Sequence, residues 1–114
     1  MKKTFFTLFV MLSFVVTASA QQIYNVKTSD KADGKFEQSI GTITLAGEVL
    51  SGMKTGTWVE NFPNTELPHF IIQYSEGKKN GLFLEFNKDG YIIKKVDYKN
   101  DLIDGAYCEW SRNG

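Results

Sequence analysis

The sequence predicts an all-β fold: a single-layer antiparallel β-meander built from hairpin repeats of 24–25 residues. Three observations carry it. A glycine followed two residues later by an aromatic recurs, with Gly56 to Gly81 spanning 25 residues and Gly81 to Gly105 spanning 24. Trp58, Phe83 and Tyr107 step by the same amounts, and an internal period of this size is the mark of a repeat architecture. Finally, aromatic and β-branched runs return about every twelve residues between turn-forming dipeptides, with no helical period after residue 20.

Composition bounds the rest. A chain of 114 residues holds one domain. Its 13 basic and 13 acidic residues balance, which argues against a nucleic-acid partner, since that needs a basic patch or stripe. One Cys excludes an internal disulfide, and one Cys with one His excludes a His/Cys zinc cluster. At 14% aromatic and 23% charged residues, the chain is not disordered by composition.

Residues 1–20 read as an address. Met1-Lys2-Lys3 is a basic start, Thr4 to Val16 is an uncharged apolar run, and Ala18 and Ala20 occupy the two small-residue positions before a cleavage site. This is the layout of a secretory signal cut between Ala20 and Gln21, and the apolar run is shorter than the ~20 residues a membrane span needs. Gln21 rather than Cys follows the cut, which argues against a lipid anchor there. The expected product is secreted or periplasmic and not an integral membrane protein.

Residues 21–48 fit the repeat poorly and are expected to form a lead-in and capping strands, because terminal units of repeat arrays are atypical. Gln21 to Lys31 is polar enough for a flexible lead-in. Asp33-Gly34-Lys35-Phe36 has the look of a degenerate repeat start, and Ile40 to Leu50 alternates as one strand would.

Residues 49–114 hold the copies. The first is Val49-x-x-Gly52-x-x-x-Gly56-x-Trp58-Val59-Glu60-x-Phe62, the second Tyr74-x-x-Gly77-x-x-x-Gly81-x-Phe83-Leu84-Glu85-Phe86-x-x-x-Gly90, and the third Tyr98-x-x-Asp101-x-x-x-Gly105-x-Tyr107-Cys108-Glu109-Trp110-x-x-x-Gly114. Each reads as two strands and two turns. Leu82 to Phe86 is an aromatic strand, Asn87 to Gly90 a turn in which Gly90 takes a positive φ, and Tyr91 to Tyr98 the returning strand. Asn80-Gly81 and Asp104-Gly105 are dipeptides of the kind that close hairpins, and Lys99 to Gly105 is expected to turn the chain into the third copy. The extra residue of the first copy is expected to be absorbed by a β-bulge near Asn61. Pro63 and Pro68 predict a looped connection there.

This Tyr-x-x-Gly-x-x-x-Gly-x-aromatic pattern resembles the MORN-repeat variant family of bacteria, some of whose members are called YwqK-family antitoxins. The resemblance spans residues 49–114 and rests on glycine and aromatic spacing, with no catalytic residue in it. It departs at Asp101, where the earlier copies have Gly52 and Gly77, and at Thr65-Glu66, where a closing glycine would follow the first aromatic strand. Gly114 falls at a turn position, so the last aromatic strand is expected to be a sheet edge carrying Tyr107 and Trp110, a template for pairing with another chain.

Positive signs of chemistry are few. Glu60, Glu85 and Glu109 hold equivalent positions, about 10 Å apart if two strands separate each pair. Retaining glycosidases need about 5–5.5 Å and inverting ones about 6.5–9.5 Å, so these glutamates are expected to form a solvated stripe paired with Lys94 and Lys95. His69 has no second ligand near it in sequence, Ser39, Ser51, Ser75 and Ser111 have no nucleophile signature, and Lys78-Lys79 reads as a solvated pair in a turn. Cys108 is expected to be a buried thiol. No cofactor motif is present.

The aromatics are the candidate binding residues: Trp58, Phe62, Phe83, Phe86, Tyr107 and Trp110 recur along the array, part core ladder and part exposed strip. The expected function is therefore a non-enzymatic binding module with a protein partner, with self-association through the last strand and a glycan or lipid ligand left open. The family resemblance implies an alternative, an antitoxin or immunity protein that neutralises a toxin by direct binding. A small envelope hydrolase using Glu85 or Glu109 is the weakest reading.

Overall fold

A computed structural model describes residues 24–111, so the expected signal segment and Gly114 lie outside the described residues. Seven strands follow one another: β1 (Gly34–Ile40), β2 (Ile43–Leu50), β3 (Met53–Asn61), β4 (Pro68–Ser75), β5 (Lys78–Phe86), β6 (Ile92–Lys99) and β7 (Leu102–Glu109). They form one sheet in the order β1 to β7, every neighbouring pair antiparallel. This is the expected meander, with β1 and β7 at its two edges and no helix among the described residues.

The repeat glycines perform two separate tasks. Hairpin turns fall at Ser51-Gly52, Glu76-Gly77 and Asn100-Asp101, and all six of these residues have positive φ, as the turns whose twist matches that of the strands require. Asp101 takes the glycine position with a φ of 72°. It is held there by its own carboxylate, whose Oδ1 accepts the Lys79 backbone N–H at 2.7 Å. Asp101→Ala keeps the strained φ and loses that bond, so urea unfolding should show a loss of about 1–3 kcal/mol.

Gly56, Gly81 and Gly105 do not close hairpins as their dipeptides suggest; they sit inside β3, β5 and β7. At each, three residues oppose one across the ladder: Gly56 to Trp58 against Gly47, Asn80 to Leu82 against Gln73, and Asp104 to Ala106 against Asp97. These are β-bulges, which bend a strand and raise its twist. Gln73 Oε1 accepts the freed N–H of Leu82 at 2.8 Å, and Asp97 Oδ2 accepts that of Ala106 at 3.3 Å. Lys99 to Gly105 is accordingly not one long turn, since β7 begins directly after Asp101.

A register shift does occur beside Asn61, but its counterpart occurs beside Phe86. The extra residue of the first copy lies instead in the connection between strands, residues 62–67 against residues 87–91 in the next copy. The 62–67 loop is closed by the Phe62 N–H donating to the Leu67 carbonyl at 2.9 Å. In the later copy the Asn87 side chain accepts the N–H groups of Asp89 and Tyr91, and Gly90 takes a φ of 90°.

Two expectations for residues 21–48 are corrected. Ile40 to Leu50 is not one strand, because Gly41, with a φ of 63°, turns the chain between β1 and β2. Residues 24–31 are not a free lead-in either. Val26 and Thr28 are buried, and this segment lies on the inner face of the sheet, which otherwise has no second layer.

The core is that inner face. Leu45, Trp58, Phe70, Ile72 and Val96 are fully buried, joined by Phe36, Val49, Tyr74, Phe83 and Val26. Trp58 is central. Its ring lies 5.4 Å from Phe36 and 6.2 Å from Tyr74, while its Nε1 donates to the carbonyls of Glu48 and Thr55. Gly47 lies beneath the indole, where a Cβ would collide with the ring.

Candidate functional site

The site is the inner face of β3 to β7, where the repeat builds one arrangement along the array. In the first copy Lys54 Nζ stands 5.1 Å from the Trp58 ring and 4.8 Å from that of Tyr74. In the second, Lys79 Nζ stands 5.7 Å from Phe83 and 4.8 Å from Tyr98. Lys94 adds a third cation, 5.8 Å from Phe83 and 5.6 Å from Tyr107. A cation over an aromatic face contributes about 0.5–1 kcal/mol when exposed and more when desolvated. Lys79 is therefore no solvated turn residue: it pairs with Tyr74 and stands on the aromatic face four residues before Phe83. The third copy breaks the pattern, because Ile103 pairs with Tyr98 where Lys79 pairs with Tyr74.

Glu60 and Glu85 share this face, which corrects their reading as part of a solvated stripe, while Glu109 is exposed as expected. Glu60 lies two residues beyond Trp58, and Glu85 two beyond Phe83. Side chains two apart on a strand point the same way, and both glutamates are buried. Glu60 Oε1 accepts the backbone N–H of Tyr24 at 2.9 Å. Glu85 faces Lys94 across the β5–β6 ladder, and Lys94 in turn faces Glu109. Glu85 Oε2 also lies 3.7 Å from His69 Nε2. His69 is clamped between Phe62 and Phe70, with ring centroids 4.2 and 4.1 Å away. Lys95 pairs with Leu84 and Cys108 on the outer face, away from the glutamates.

Burial sets the protonation behaviour of these groups. It pushes the Glu60 carboxyl up against the opposing pull of the Tyr24 N–H and the Lys54 charge. It likewise raises Glu85 against the pull of Lys94, with Glu109 adding to the rise. Burial lowers the Lys54 amine and the His69 imidazole. The Tyr74 phenol is pushed up to about 12, chiefly by burial. A carboxyl raised on folding contributes stability below its unfolded range that is lost as pH rises through its folded value. Glu85→Gln should thus have a higher urea midpoint than the parent at pH 7, and the difference should vanish below about pH 4, where both glutamate and glutamine are neutral.

The candidate aromatics divide. Trp58, Phe62 and Phe83 are buried, while Tyr107 at 47% and Trp110 at 42% are exposed. Tyr107 continues the inner face, its hydroxyl donating to Glu109 Oε2 at 2.7 Å. Phe86 is half-buried at the register shift that ends β5, and Trp110 lies one residue past the end of β7. Among the repeat positions, Tyr74 and Tyr98 line the face, Gly52 and Gly77 sit at turns, and Gly56, Gly81 and Gly105 sit at bulges. Cys108 is half-buried on the outer side and is not part of the core.

Sequence reasoning missed the segment that covers the face. Residues 24–29 run back along β3, from Glu60 at one end to Gly52 at the other. Tyr24 donates its backbone N–H to Glu60, Val26 enters the core, and Thr28 Oγ1 donates to the Gly52 carbonyl at 2.9 Å. Ser29 packs so closely over Gly52 that a Cβ there would meet its carbonyl oxygen at 3.1 Å. The available signal was the Val-x-Thr alternation within a polar stretch, which puts the Val26 and Thr28 side chains on the same side. Val26→Ala should cost about 1.5 kcal/mol, two methyl groups' worth of burial, as read by denaturant unfolding.

Beside this segment is a cleft of about 320 Å³ lined by Asn25, Val26, Met53, Lys54, Tyr74 and Gly77. Among the described residues no group of three His, Cys, Asp or Glu side chains is placed to hold a metal ion, and no helix is long and apolar enough to cross a membrane. No family model, curated protein or solved structure matches the chain.

Proposed function

We propose that this chain is a secreted or periplasmic MORN-like repeat protein that acts by binding, with no chemistry of its own, and that its inner face is the binding surface. The observation that carries this reading is the chain's own residues 24–29, an extended segment held on the aromatic face by a carboxylate, a backbone carbonyl and a buried valine. A surface that seats one extended segment through repeat-encoded groups has the parts to seat others. The buried polar groups fit this role: Glu60 has a backbone N–H to accept, and Lys54 is packed between two rings rather than set beside a nucleophile. Peptide-binding sheets commonly combine fixed polar acceptors with pockets for alternate side chains.

The test is a crosslinking pull-down with the protein expressed from its full sequence, read by mass spectrometry. One protein recovered in near-equal amount supports the binding module, and a toxin encoded beside it would give that binding a neutralising purpose. Recovery of the chain alone would assign the contact to the β7 edge, where Leu102, Ile103 and, just past its end, Trp110 are exposed. Nothing crosslinked in any amount would overturn the reading.

A further inference from the structure

We infer that the second copy of the repeat holds a peptide site equivalent to the one that residues 24–29 occupy on the first, and that its ligand is an extended segment of another polypeptide with a β-branched residue two positions before a hydroxyl residue. This deepens the binding-module reading and rests on it.

The two copies supply the same groups. Glu85 stands where Glu60 stands, 25 residues on, and Lys79 over Phe83 and Tyr98 stands where Lys54 lies over Trp58 and Tyr74. Gly77 takes the place of Gly52, with a positive φ in the same kind of turn. On the first copy each of these meets the segment: Glu60 accepts a backbone N–H, the Gly52 carbonyl accepts a hydroxyl, and the absent side chain of Gly52 admits the Ser29 backbone. On the second copy no backbone N–H among the described residues donates to Glu85, whose Oε2 lies 3.7 Å from His69 Nε2. Gly77 is exposed, and a Cβ there would meet only the flexible Met53 side chain, at 3.7 Å.

The spacing also allows both segments at once. Equivalent strands of successive copies are two ladder steps apart, about 10 Å, which leaves room for side chains between two extended chains that do not pair with each other. The cleft beside residues 25–28 is lined by Gly52 of the first seat and Gly77 of the second, with Lys54 and Tyr74, and so lies between the two seats. The third copy is closed to this mode, because Asp101 puts a side chain where Gly52 and Gly77 have none and Ile103 replaces the lysine. One seat is filled by the chain itself, the second has no segment over Gly77, and the third is blocked.

Asp101 also supplies the variant that tests this. Its N–H donates to the Lys79 carbonyl as the Gly77 N–H donates to that of Lys54. Gly77→Asp therefore copies a turn the fold already makes and should fold normally while filling the close approach. The probe is an acetylated peptide with the sequence of residues 24–31, titrated into the isotope-labelled full-sequence protein and followed by amide NMR. Saturable shifts at Gly77, Lys79, Phe83 and Tyr98 are expected. Binding should weaken at least tenfold in Gly77→Asp and in Glu85→Ala, and in a peptide with its valine replaced by aspartate. Shifts confined to Gly52, Lys54 and Trp58 would mean exchange with the chain's own segment and would overturn the proposal, as would equal binding by Gly77→Asp. In the pull-down, a partner retained equally by Gly77→Asp and not displaced by the peptide would remove this site and leave the binding module standing. A pull-down that is empty while the peptide still binds would do the reverse.

Discussion

Trp58→Ala is expected to unfold at a far lower urea midpoint than the parent chain at 25 °C. Replacing a buried aromatic by alanine costs about 3–5 kcal/mol, against a total of about 5–15 kcal/mol for an ordinary domain. Trp58 has few substitutes because it is fully buried, bridges Phe36 on β1 to Tyr74 on β4, and satisfies two carbonyls through one N–H. Gly47 belongs to the same contact. Its φ is ordinary, yet a Cβ there would run into the indole, so Gly47→Ala should destabilise by about 1–3 kcal/mol through overpacking alone. Combining Gly47→Ala with Trp58→Phe should cost less than the sum of the two single changes, since the smaller ring makes room for the methyl group. Strict additivity in chemical denaturation would show that the two residues do not share a contact.

Gly81→Val should be the most damaging substitution at a repeat glycine. The residue has a φ of 112°, and a side chain there would push the Gln73 amide off the Leu82 N–H. A non-glycine residue in such a conformation costs about 1–3 kcal/mol, and the displaced hydrogen bond adds about 1 kcal/mol. Position in the array grades the outcome, because repeats contact only their neighbours. In hydrogen exchange, Gly81→Val should lower protection across β3 to β6, while Gly105→Val should open β6 and β7 and spare β3 and β4. Equal loss everywhere from both would mean the sheet unfolds as one unit with no local opening.

The period, the all-β class and the strand count per copy were readable because glycine and aromatic spacing follow from backbone geometry, which is local. Which glycine turns and which bulges was not readable. Asn80-Gly81 looks more like a hairpin turn than Glu76-Gly77 does, yet the reverse holds, because the turn is chosen by where the next strand can pair. The glutamates were misassigned for a related reason. A charged residue at a strand position reads as outward-facing, but Glu60 and Glu85 follow Trp58 and Phe83 by two and so share their side. Lys54 and Lys79 share that side too, four residues before Trp58 and Phe83, because each bulge adds two residues and so leaves the alternation intact. The cover provided by residues 24–29 depends on contacts with residues 24 to 36 positions away, and no local pattern reports those.

Every strand pairs with the strand made just before it, and each new turn docks on what is already built, the Gly77 N–H on the Lys54 carbonyl and the Asp101 N–H on that of Lys79. The assembly thus has a direction. A chain appearing N-terminus first, from a ribosome or a translocation channel, can finish each hairpin against a completed neighbour. No strand waits for more than the next one to emerge, while residues 24–29 dock once β3 is made. Such short-range closure is the topology that speeds folding, and it limits how long an unpaired edge stays open to other emerging chains.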